Sequence, residues 1–141
     1  MDNYLIFNAL YNNNYQDVIY ILNNHVNPNC QNEYGYTPLM VACINGNIQI
    51  VDVLLMYDVN LNIRNNKGQS VLMIAIYNGH ADIMMRLINN NINLDILDNH
   101  NNKAVDYYNK SNNETIKNTV VIPFMNQNII SYVDKNNAYF N

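Results

Sequence analysis

The 141-residue chain predicts an all-α solenoid, a row of stacked helix-turn-helix units. Three observations lead there. Its four glycines form two pairs with one offset: Gly35 recurs as Gly68 and Gly46 as Gly79, each 33 residues on. The aliphatic positions keep that register, with Leu39 matching Leu72, Met40 matching Met73, Ala42 matching Ala75, Ile50 matching Ile83 and Leu54 matching Leu87. Helix start and stop signals recur with them. A fixed period of roughly 20–50 residues marks stacked units. Such arrays offer an extended surface rather than a closed pocket.

The first copy, about residues 1–31, places Ile6, Ala9, Val18, Ile21 and Leu22 at core positions. In the second copy, about 32–64, residues 37–45 are predicted to form a short helix. Thr37 supplies the N-cap, and Pro38 takes the first helical position, where its missing N–H costs nothing. Leu39, Ala42 and Cys43 recur at helical spacing and face the core. Gly46 ends the helix in the left-handed conformation. A second helix is predicted over about 47–57, burying Ile48, Val51, Leu54 and Leu55 and leaving Gln49 and Asp52 in solvent. The third copy, about 65–97, repeats this plan with Ser70 as the cap. The fourth, about 98–122, is weaker: Val105, Ile116, Val120 and Val121 hold the register, and Asn101 stands where earlier copies have glycine. Pro123 ends its last helix. Residues 123–141 stand outside the period, as a short helix lined by Ile129, Ile130 and Val133 or as a disordered tail.

The run Thr37-Pro38-Leu39-Met40-Val41-Ala42 is followed by Asn45-Gly46 and by Ile50-Val51-Asp52-Val53-Leu54-Leu55. It resembles the signature of the ankyrin repeat, whose period is about 33 residues. The resemblance covers about residues 1–122, as some four repeats with degenerate first and last copies. It implies that β-hairpin-like fingers join the helix pairs. Where the family has Gly-Ala after the second helix, this chain has His25-Val26, Asp58-Val59 and Asn91-Ile92. Asn and Asp tolerate left-handed angles, and His25 is the poorest fit. Terminal repeats cap such arrays and depart from the consensus. A first copy without a finger and a last copy with polar Asp106 and Asn109 fit that role.

Only 13% of residues are charged, against about 25% in typical domains. Asparagine takes their place, 33 times, a bias expected of an AT-rich genome such as a protozoan or a large DNA virus. The asparagines fall between apolar positions kept in register, which argues against a low-complexity tract over 1–122. Net charge is −4 with scattered basic residues, against the clustered basic face of nucleic-acid readers. No apolar run approaches the ~20 residues of a membrane span, and the N-terminus lacks a basic secretory start. Cys30 and Cys43 lack metal-ligand spacing and read as reduced packing residues. A cytoplasmic protein is expected, in host-cell cytoplasm if it comes from a virus or parasite.

Catalytic chemistry finds no constellation. His25, His80 and His100 fall at a helix end, an inter-helix turn and a finger, and no phosphate loop or zinc spacing occurs. No cofactor and no metal are expected, and the chain reads as a non-enzyme. The resemblance implies that partners bind a concave face built from finger tips and first-helix ends. Carried over by position, the first-helix row is Tyr11, Ile44, Tyr77 and Lys110, of which the first three are candidate contacts. The finger candidates are Glu33, Tyr34, Tyr36, Lys67, Gln69 and His100, with Arg64 and Leu97 closing the fingers. Tyrosine and arginine are enriched at interface hot spots. Tyr4, Tyr15, Tyr20 and Tyr57 lie elsewhere, so tyrosine abundance alone accounts for part of the pattern. Met40, Met73, Met84 and Met85 read as core packing. The resemblance also marks Asn29 and Asn62 as positions where family members are hydroxylated, though a turn-satisfying role is the simpler reading. The expected function is protein–protein interaction by a monomer, on the concave face, with a folded partner. Two alternatives stay open: a viral or parasite inhibitor of a host protein, and an accessory region of a larger enzyme or channel.

Overall fold

The computed structural model describes residues 3–119, 121, 123 and 124. The expected helix or tail over 123–141 lies outside the described residues, apart from Pro123 and Phe124, as does Val120.

Among the described residues eight helices follow one another in pairs: α1 (Tyr4–Tyr11) and α2 (Tyr15–Asn23), α3 (Pro38–Asn45) and α4 (Ile48–Leu55), α5 (Val71–Tyr77) and α6 (Ala81–Asn89), α7 (Ala104–Lys110) and α8 (Glu114–Lys117). Each is short enough that its stability comes from packing rather than propensity. Side-chain caps set most of the starts. Thr37 Oγ1 accepts from the Met40 amide at 3.2 Å and Ser70 Oγ from the Met73 amide at 3.4 Å. Asparagine does the same for the second helices: Asn14, Asn47 and Asn113 accept from the amides of Asp17, Ile50 and Ile116. α3 ends at Gly46 with φ of 70°, as the sequence predicts.

The first helices pack as an inner row, α1 on α3, α3 on α5 and α5 on α7, and the second helices as an outer row, α2 on α4 and α4 on α6. This arrangement explains two differences from expectation. In α3 the whole run Pro38–Cys43 is buried, not only Leu39, Ala42 and Cys43. A helix enclosed by α1, α4 and α5 has no solvent face over its first turns, so it is apolar all round. In α4 the buried set is Ile50, Val51, Val53 and Leu54, while Ile48 and Leu55 are half-buried. The stripe turns toward the neighbouring second helices α2 and α6. α4 is also shorter than predicted and stops at Leu55.

The junctions after the second helices divide. His25 and Asn91 take positive φ of 64° and 58°, so even the poorest-fitting residue adopts the left-handed angle. Asp58 does not. The Val59 amide donates to the Tyr57 carbonyl at 2.8 Å and closes a three-residue turn about Asp58 that needs no positive φ. The methionine expectation holds: Met40, Met73 and Met84 are buried and Met85 packs against the core.

The fingers stack edge to edge. The Asn66 amide donates to Tyr34 O and the Asn99 amide to Lys67 O. Gly68, with φ of 77°, sits so close to the next finger that a Cβ there would lie 2.7 Å from the Asn99 backbone nitrogen. Two requirements therefore coincide at Gly68, a left-handed angle and close approach of backbone. Asn101, in register with it, has φ of 61° and is exposed, so it meets only the first. Gly68→Ala is expected to cost more than about 1 kcal/mol. Asn101→Gly should stay within about 0.5 kcal/mol of wild type. Urea unfolding followed by circular dichroism measures both.

Candidate protein-binding groove

Each finger is closed by one side-chain oxygen at a fixed place. Asn32 Oδ1 accepts from the amides of Tyr34 and Tyr36, at 3.0 and 2.9 Å. Asn65 Oδ1 accepts from Lys67 and Gln69 at the same two distances. Asp98 Oδ1 accepts from His100 and Asn102, both at 2.8 Å. Asn65 and Asp98 are buried. The anchors orient the residues that follow them, so Tyr34, Lys67 and His100 stand exposed at the tips. Tyr36, Gln69 and Asn102 lean toward the first helices and are half-buried.

The first-helix row lies where the register places it. Tyr11 is 60% exposed, Ile44 40% and Tyr77 77%, and Lys110 is also exposed. Tyr11 is tied to the first finger, accepting at its hydroxyl from Asn32 Nδ2 at 3.0 Å. Lys110 Nζ donates to Asn102 Oδ1 at 3.0 Å. Two hollows lie along this row, one facing the fingers and one between α5, α7 and the turn after α7. One, about 320 Å³, is lined by Tyr36, Ile44, Lys67, Gln69 and Tyr77, among others. The other, about 460 Å³, has Ile76, Tyr77, Asp106 and Lys110 in its walls. Tyr77 and Tyr107 belong to both.

The other candidates fall outside the hollows. Glu33 and Tyr34 are exposed on the first finger, Tyr34 at 61%. Arg64 is exposed, yet its guanidinium is engaged: Nε donates to Gly68 O at 3.1 Å. Gln31, 33 residues earlier, makes the equivalent bond to Gly35 O at 2.7 Å. Leu97 has no such group and is 41% exposed. Asn29 and Asn62 accept from the amides of Asn60 and Asn93 in the following junction, which is turn-satisfying work.

Tyr107 is the groove residue that sequence reasoning missed. Its 33-residue register partners, Val41 and Ile74, are buried aliphatics, so the position reads as core. The usable signal is a hydroxyl-bearing ring in an aliphatic row. Its hydroxyl donates to Asp98 Oδ2 at 2.7 Å and accepts from Gln69 Nε2 at 3.0 Å. Burial raises the Asp98 carboxyl, but the Asn102 amide, the Tyr107 hydroxyl, the Asn102 side chain and the His100 amide outweigh it and hold it at about 2. Burial pushes the Tyr107 phenol up.

Burial also raises both thiols, more strongly at Cys43, and both cysteines are free. A thiol kept protonated is a poor nucleophile. The His80 ring packs on Gly46, with Nε2 3.4 Å from Ile44 O, an inter-repeat contact. Among the described residues no group of three or more His, Cys, Asp or Glu is placed to hold a metal ion, and no helix is long and apolar enough to cross a membrane.

The described residues define a class: a two-layer helical solenoid with an aromatic-lined inner groove. The family described as ankyrin repeats, in three copies, matches residues 6–98 and 57–119. The chain belongs to the ankyrin-repeat family. Ankyrin repeats are generally protein–protein interaction modules and typically non-enzymatic. No curated protein matches the chain.

The Asp98 carboxyl sits below its ordinary value of 3.8 in the folded state. Its stabilisation is complete above about pH 4 and is lost as pH falls through the folded value. Urea midpoints taken from neutral pH down to about pH 2 are expected to fall more steeply for wild type than for Asp98→Asn.

Proposed function

We propose that the chain is a non-enzymatic module that seats a folded protein partner in the groove between the fingers and the first helices. It acts by occlusion or scaffolding, as a monomer and without a cofactor. The observation that carries this reading is Tyr77, an exposed ring that forms a wall of both hollows and lies in register with exposed Tyr11 and Ile44. Large exposed apolar side chains beside concave surface favour association. A tyrosine offers wide contact at the cost of few frozen rotors. Arg64 contributes as a support of its finger, whereas Tyr34, Tyr36, Lys67 and Gln69 are the contacts supplied by the fingers.

Immobilised protein and a Tyr34→Ala, Tyr36→Ala, Tyr77→Ala variant, both with native circular dichroism, are compared for binding to partners captured by the wild type. The variant is expected to lose affinity by at least about tenfold, since aromatic hot spots each contribute roughly 2 kcal/mol or more. Equal affinity removes the groove as the binding site.

A further inference from the structure

The charges around the groove have a direction. The described residues hold six cations. Arg86 pairs with Asp52 at 2.9 Å on the outer row, and Lys103 pairs with Asp95 at 2.8 Å. Arg64 bonds its own finger, and Lys117 lies on α8. Lys67 and Lys110 remain, both exposed, one beside each hollow. Neither has an acidic side chain within ion-pair distance among the described residues.

The nearby carboxylates are held by backbone or lie away from the two ammonium groups. Asp98 is buried under Tyr107 and the third finger's amides. Asp106 borders the larger hollow, with Oδ2 held by the Lys103 amide at 2.7 Å. Glu33 is exposed on the first finger, outside both hollows. The other described acids, Asp17, Asp52, Asp58, Asp82 and Glu114, lie on the second helices or their junctions. A chain of net charge −4 thus presents exposed ammonium groups without a carboxylate partner beside both hollows, Lys110 being held only by the neutral Asn102 side chain. Two aromatic rings, Tyr77 and Tyr107, line both hollows.

Building on the groove reading above, we propose that the partner presents an extended acidic segment: an apolar side chain seated against Tyr77 and Tyr107, flanked by carboxylates that meet Lys67 and Lys110. Opposite charge at a rim steers encounter and fixes register. An exposed pair contributes modestly, so the apolar anchor supplies most of the affinity and the lysines select the sequence around it. A basic or neutral segment would leave both ammonium groups unmatched.

The probe is a randomised linear peptide library displayed on phage and selected on the intact chain. Enriched peptides are then measured by fluorescence anisotropy against wild type, Lys67→Glu with Lys110→Glu, Lys67→Gln with Lys110→Gln, and Tyr77→Ala, each checked by circular dichroism. The expected pool carries Asp or Glu on both sides of an apolar residue. Its affinity should fall at least about tenfold on charge reversal, less on neutralisation, and with rising salt. Selection on the charge-reversed variant should enrich basic peptides instead. A neutral or basic pool that still needs Tyr77 overturns the acidic partner and leaves the groove reading standing. Peptides indifferent to both the lysines and Tyr77 overturn both readings. No enrichment overturns the proposal of a linear segment.

Discussion

The array depends on a short side-chain oxygen placed once in every finger, where it accepts two backbone amides that the tight turn would otherwise strand. Asn32, Asn65 and Asp98 hold that place at 33-residue spacing. A backbone amide left without a partner where neighbours shield it from water costs free energy. With those amides satisfied, each finger is rigid enough for the next to lie against it, and the Asn66 and Asn99 side chains bridge neighbours at 3.0 and 2.9 Å. A neutral amide recurs without like-charge repulsion, which is how a chain with so few charged residues builds so many polar turns. Among the described residues asparagine also caps three of the second helices and holds three of the four positive-φ sites outside glycine.

The last finger changes one atom and gains a partner. Asn65 uses its Nδ2 to donate to Gln69 Oε1 at 3.0 Å. Asp98 has an acceptor in that place, and the Tyr107 hydroxyl at 2.7 Å and the Asn102 side-chain amide at 3.2 Å supply the donors. Because Tyr107 already accepts from Gln69, its proton is committed to Asp98, and the cluster joins the second finger, the third finger and α7. The same ring lines both hollows. Structure and candidate function meet at this residue: the bond that fixes Tyr107 also fixes the shape between the two hollows.

Much of the fold was legible in the residues. Glycine spacing, the Thr37 and Ser70 caps and the aliphatic register sufficed for the helix pairs, because each repeats a local rule with tertiary consequences. The detail of α4 escaped, since periodicity gives a stripe but neighbours decide which way it faces. Asp58 escaped because two different turns suit the same residue. For the surface, register placed Tyr11, Ile44 and Tyr77 in one row, and the family resemblance implied that the row is exposed. Register gave no sight of the hollows, which arise from how Tyr36, Gln69 and Tyr107 lean across from different repeats. Arg64 read as a contact, and only its bond to Gly68 O shows that it also supports the finger.

Hydrogen exchange at the Lys67 and Gln69 amides, in wild type and in Asn65→Ala, bears most directly on the claim that one side-chain oxygen holds each finger. Both amides are predicted to be protected in the native chain and to exchange much faster in the variant, with the Asn99 amide of the following finger accelerated as well. Unprotected Lys67 and Gln69 amides in wild type, or rates untouched by the loss of Asn65, would contradict it.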